Sequence, residues 1–83
     1  MTDTILLNLT ITKVDAPIFS GAVLSVQVPG TLGQMEIMAN HTALISPLKE
    51  GVITIKQPDG AKETHQINSG TIEVSHNHAT ILI

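Results

Sequence analysis

The chain has 83 residues, four Lys and no Arg against seven Asp and Glu, a formal charge of -3, no cysteine, and Phe19 as its one aromatic residue. That length supports one domain with a modest core, and the missing thiols exclude disulfides and thiolate metal sites. Few cations and almost no aromatic rings argue against phosphate neutralisation and base stacking, and so against nucleic acid or an anionic lipid surface.

The apolar content is Ile, Leu, Val, Ala and Met, and such branched aliphatic side chains suit pleated sheet. Met1-Thr-Asp-Thr has no basic region ahead of an uninterrupted apolar core, so no secretory signal is read there. No apolar run approaches the roughly 20 residues of a membrane-spanning helix. The expectation is a soluble, cytoplasmic protein that reaches a membrane only through a partner.

In chain order, residues 5–12 alternate so that Ile5, Leu7, Leu9 and Ile11 share the buried side of a strand. Residues 13–21 read as a connection, because Pro17 cannot donate to a central ladder and Gly21 permits a tight conformation. Ala22, Leu24, Val26 and Val28 form the next buried face, and Pro29-Gly30 stops that strand. Met35-Glu-Ile-Met38 is a short extended segment. Residues 52–57 place Ile53 and Ile55 together, and Asp59-Gly60 turns the chain back into residues 62–67. Residues 71–75 and 79–83 flank His76-Asn77-His78, a polar connector suited to another hairpin, with Ile72 and Val74 inward and Glu73 and Ser75 outward.

No stretch of ten residues keeps a helical apolar period free of Gly or Pro. The expected fold is therefore all-β, a small flattened barrel or sandwich of short strands. There is no linker, repeat or low-complexity tract, so one domain covers residues 1–83.

The residues that carry chemistry elsewhere are isolated here. His41 is suited to a base or ligand role, but its nearest acid in sequence is Glu36, and a structural or interfacial role is the simpler expectation. His76 and His78 share a face only if a strand continues through them, and two imidazoles do not complete a zinc site; His65 is expected half-buried in a strand beside Ile67. Glu36, Glu50, Glu63 and Glu73 are scattered rather than paired for acid–base work. Gly30 and Gly33 are not followed by the Lys-Ser/Thr of a phosphate loop. No catalytic residue, cofactor or metal is expected. Leu32, Met35, Ile37 and Met38 read equally as core plugs or as an exposed protein-binding patch.

One stretch carries more. Gly33-Gln-Met-Glu-Ile-Met-Ala-Asn-His-Thr-Ala-Leu-Ile-Ser-Pro-Leu-Lys-Glu-Gly51 resembles the signature of the epsilon subunit of F-type ATP synthase, Gly-Glu-Leu-Gly-Ile-Leu-Pro-Gly-His-Ala-Pro-Leu ending in Leu-Lys-Pro-Gly. Ile18-Phe-Ser-Gly21 upstream and Asn68-Ser-Gly-Thr-Ile-Glu-Val74 downstream are similar to further family segments in the same order. The departures are Gln34 for Glu, Glu36 for Gly, Ala39-Asn40 for Pro-Gly and Ala43 for Pro. Asn40 tolerates a left-handed backbone, whereas Glu36 does not supply glycine's freedom.

The resemblance implies the amino-terminal β-sandwich domain of about ten strands. It also implies a non-catalytic central-stalk role, binding the gamma subunit and the polar loops of the c-ring and coupling proton flow to ATP synthesis, peripheral to the energy-coupling membrane on its cytoplasmic side. Family members usually continue into a helical hairpin, and this sequence stops at Ile83 without one. Matched residue by residue, Leu32, Gln34, Met35, Glu36 and His41 are the implied partner contacts, with His41 in a loop near the c-ring. Phe19, Gly21, Gly33, Ile37, Leu44, Gly51 and Gly70 are the implied structural positions. The competing expectations are an autonomous β-rich binding or homomeric module, joining sheet edges through residues 79–83, and a metal enzyme built on His41, His76 and His78.

Overall fold

The computed structural model describes residues 5–83, so Met1 to Thr4, where the absence of a signal was read, lie outside the described residues. Nine strands follow one another: β1 Leu7–Thr12, β2 Pro17–Val23, β3 Ser25–Gly30, β4 Gly33–Met38, β5 Leu44–Leu48, β6 Gly51–Lys56, β7 Lys62–Ile67, β8 Gly70–Ser75 and β9 His78–Leu82. There is no helix among the described residues. The expected all-β fold of about ten short strands is met, with nine strands among the described residues.

Strand order is β2-β1-β9-β8-β5-β3-β6-β7, with β4 on the remaining side of β3. β5 and β3 meet at the single pair Gly30 and Leu48. The sheet turns at that corner, and its two halves, β2-β1-β9-β8-β5 and β7-β6-β3-β4, close over one core. Leu7, Leu9, Ile11, Val23, Val26, Val28, Ile37, Ile53, Ile55, Ile72, Val74, Ala79 and Ile81 are all essentially inaccessible to solvent and belong to one cluster. Side chains alternate across the pleat, so β1, β6, β8 and β9 give this cluster every second residue and turn the others outward, whereas β2, β4, β5 and β7 each bury a single residue. Each buried Leu, Ile or Val contributes about 1.5–3 kcal/mol of transfer free energy.

Several sequence expectations change. Ile5 precedes β1 and is 61% exposed, because it lies beyond the last pair of the β1–β2 ladder, Leu7 and Val23. The connection after β1 is short, closed by Lys13 N donating to Ala16 O at 2.9 Å. The chain then enters β2 at Pro17, on a sheet edge where its missing N–H costs nothing. Ala22 is exposed and Leu24 only half-buried, while Val23 and Ser25 are buried. The physical reason is that the chain leaves one half-sheet for the other at Leu24, whose N–H donates to Lys56 O at 2.9 Å. The alternation restarts there in a new phase.

The short extended segment Met35–Met38 is the larger part of β4, which starts earlier, at Gly33, and forms a regular hairpin with β3. β9 lies between β1, to which it is parallel, and β8. Residues 79–83 therefore offer no free sheet edge, and the homomeric reading loses the route proposed for it.

The connector expected at His76-Asn77-His78 is a tight β8–β9 hairpin in which His78 already opens β9 and the turn is made by His76 and Asn77. Both residues have positive φ, 50° and 59°, the pattern of a type I′ turn, whose twist matches the flanking strands.

Candidate interaction surface

β4 pairs with β3 on one side only, and its pleat sorts the signature residues. Ile37 is buried and Met35 is packed half-buried against the core, whereas Gln34, Glu36 and Met38 face outward. Leu44, the first residue of β5, also packs half-buried against the core. The open choice between core plugs and an exposed patch thus resolves residue by residue.

Glu36 sits in regular strand opposite Gln27 and needs no glycine-like backbone. Its Oε2 accepts a hydrogen bond from Ser25 Oγ at 3.0 Å and lies 3.9 Å from Lys56 Nζ. That leaves Ser25 the one buried polar residue of the described chain with its hydroxyl satisfied. Gln34 Nε2 donates to Gln27 Oε1 at 3.3 Å. Beside this network, Ile5, Leu24, Ser25, Glu36, Met38, Ala39 and Lys56 line an open groove of about 460 Å³.

The ends of β4 differ. At one, residues 31–32 form a two-residue turn, and Leu32 stands fully exposed at its tip. Gly33 closes that turn at φ 138°, a backbone that L side chains rarely adopt. At the other end, the chain bends through Asn40 at φ 62°, as its tolerance of left-handed backbone allows, and His41 N donates to Met38 O at 3.2 Å. His41 is exposed, with its Nδ1 2.8 Å from Thr42 O. The six residues of β4 separate Leu32 from His41 by roughly 20 Å at ~3.3 Å per residue. The five residues expected to meet partners form a strip along one edge strand with an exposed tip at each end, and not a single loop.

The positions expected to be structural also divide. Phe19 packs half-buried on the core from β2. A Cβ on Gly70 would lie 2.5 Å from Leu82 O, and one on Gly51 would lie 2.8 Å from Pro29 Cβ, so close strand approach demands glycine at both. A Cβ on Gly21 would meet only the Phe19 ring at 3.6 Å, an ordinary contact. Nothing in its surroundings requires glycine.

Two of the other three histidines are paired with neighbouring side chains. His65 is half-buried on β7, with its Nε2 2.7 Å from Glu63 Oε2. Both side chains point to the core side of an edge strand, a placement that discourages another strand from adding there. His78 Nε2 lies 3.0 Å from Thr10 Oγ1, while His76 occupies the turn. Among the described residues no three His, Asp or Glu side chains are grouped to hold a metal ion.

Sequence reasoning missed Asn77 as more than a turn former. Its backbone carbonyl and both ends of its amide bond residues far away in the chain. The only local signal was an Asn flanked by His between two strands, which marks a turn and says nothing of distant partners.

Residues 6–83 match the family model for the β-sandwich domain of the ATP synthase delta/epsilon chain. The chain is 46% identical over 77 residues to the ATP synthase epsilon chain of a Nitratiruptor species, covering 93% of this chain and 60% of that protein. It is 42% identical over 74 residues to the ATP synthase epsilon chain of Protochlamydia amoebophila, covering 89% and 50%. It thus spans 50–60% of the length of these curated relatives. In solved structures, the fold is shared with a chain of the Euglena gracilis mitochondrial ATP synthase OSCP/F1/c-ring assembly, at a TM-score of 0.88 and 23% identity over 93% of this chain and 49% of that one. It is shared too with a chain of the Tetrahymena thermophila mitochondrial ATP synthase central stalk and c-ring, at 0.75 and 15% over 98% and 65%. With the match spanning residues 6–83, and so all nine described strands, the chain belongs to the family of ATP synthase delta/epsilon chain β-sandwich domains.

Proposed function

We propose that this chain is a non-catalytic part of the central stalk of a proton-translocating F-type ATP synthase. In this reading it binds the gamma subunit and the polar loops of the c-ring, and it helps to couple proton flow to ATP synthesis. It is held at the energy-coupling membrane, on the cytoplasmic side, by those partners. No helix of the described residues is long and apolar enough to cross a membrane.

The observation that carries the reading is the collinear identity to two proteins named ATP synthase epsilon chain, which extends over 93% and 89% of this chain. The geometry is compatible with a mechanical part. Fully buried aliphatics from both half-sheets fix the register, and a coupling element must hold its shape while two partners pull on it. The exposed Leu32 and His41, at opposite ends of β4, suit contact with two different neighbours, and partner binding would add to the stability of a small core by mass action. Leu32, Gln34, Glu36 and His41 are the proposed contacts; Met35 contributes through its exposed margin.

The test is reconstitution. Synthase stripped of this component and incorporated into vesicles is expected to regain proton-driven ATP synthesis when the folded chain is added back. Rebinding without recovery of coupled synthesis would refute the coupling role.

A further inference from the structure

The 39–43 loop is fastened to the rest of the molecule by one side chain from the far end of the sequence. Asn77 Oδ1 accepts the Asn40 N–H at 2.8 Å, and Asn77 Nδ2 donates to Leu6 O at 2.9 Å. The backbone carbonyl of Asn77 accepts the Asn8 N–H at 3.2 Å. An N–H can only donate and a carbonyl can only accept, so the two amide partners fix which end of the carboxamide is oxygen. Among the standard side chains of this length, only asparagine offers a donor and an acceptor in that arrangement. Aspartate keeps the acceptor for Asn40 but turns a carboxylate oxygen towards Leu6 O.

The consequence reaches His41. The Thr42 carbonyl at 2.8 Å requires the His41 Nδ1 to carry a proton, which leaves Nε2 as the ring atom available to a partner. Its direction depends on the backbone at Asn40.

We infer that Asn77 is a positioning residue: its carboxamide locks the 39–43 loop against the start of β1 and so holds His41 in the orientation in which it meets a protein partner. This rests on the rotor reading for the identity of that partner, the gamma subunit and c-ring, but the locking itself is a property of the isolated chain.

Two variants separate positioning from stability. Asn77→Gly suits the left-handed turn and removes both amide contacts, whereas Asn77→Asp retains the Asn40 acceptor and introduces repulsion at Leu6. The expected order of unfolding midpoints is wild type, then Asn77→Gly, then Asn77→Asp. Hydrogen exchange at the Asn40 amide should accelerate about fivefold or more in Asn77→Gly, the factor expected for one net hydrogen bond, and stay slow in Asn77→Asp. Affinity for a purified gamma–c-ring subcomplex should follow the exchange, with Asn77→Asp binding better than Asn77→Gly despite its lower midpoint. Affinity that instead ranks with the midpoints, or an Asn40 amide indifferent to Asn77→Gly, would overturn the proposal. A wild-type chain that does not bind the subcomplex would remove the rotor reading and the partner half of this inference, while the Asn40 exchange rates would still decide the locking.

Discussion

The two ends of β4 present exposed side chains in opposite ways. The Leu32 turn rests mainly on its own hairpin: β3 pairs with β4 from Ser25 and Met38 to Gly30 and Gly33, the turn closes on Gly33, and one backbone bond, Thr31 N to Pro47 O at 3.3 Å, ties it to β5. The His41 end is held by a residue 37 positions away, itself tied to a residue 71 positions away. A contact carried on a local hairpin can be altered without disturbing the fold. One carried on long-range hydrogen bonds shares its stability with the whole molecule.

Three substitutions sharpen that contrast. The largest effect is expected from Ile37→Ala, which empties the buried anchor common to both ends. It should cost about 2–5 kcal/mol, read from chemical denaturation, and release both tips together. Asn40→Ala comes next. The left-handed backbone at φ 62° should cost roughly 1–2 kcal/mol with a Cβ and no side-chain amide, and nuclear magnetic resonance shifts should spread through residues 39–43 to Leu6 and Asn77. The smallest change in stability is expected for Leu32→Asp, within about 0.5 kcal/mol because the side chain touches nothing. Its effect should appear only in partner affinity. Equal destabilisation by Asn40→Ala and Leu32→Asp would erase the distinction between the two ends.

The parts of the fold that could be read in advance are those where one strand face is wet and the other dry. Ile53 and Ile55, Ile72 and Val74, and Leu7, Leu9 and Ile11 all point inward as their alternation required. β5 escaped notice because Ser46 and Pro47 interrupt its pattern and Ile45 faces out at 71% exposure. β2 escaped because Pro17 and Gly21 resemble a connection. Both features are tolerable for reasons that lie in the tertiary structure, since β2 is an edge strand and β5 sits at the corner where the sheet turns. The phase error at Ala22 and Leu24 has the same origin, because alternation holds within a sheet and not across a crossing between sheets.

The surface was less legible than the core. Leu32 and Ile37 are both large aliphatics five residues apart, yet one is fully exposed and the other fully buried. Their difference is set by a turn tip and a pleat whose register depends on Gly33. The opposite placement of His41 followed from the length of β4, which reads as a short extended segment over residues 35–38 and reaches back to Gly33 through its pairing to β3. Asn77 illustrates the limit most clearly, since a hydrogen bond to Leu6 leaves no trace in the neighbourhood of residue 77.

The most direct test of the central claim is sedimentation of the folded chain with the purified gamma–c-ring subcomplex, run beside Leu32→Asp. The expected result is stoichiometric co-sedimentation of the wild-type chain and weakened binding by the variant at an unchanged unfolding midpoint. A folded wild-type chain that stays at its own mass across the whole concentration range would contradict it.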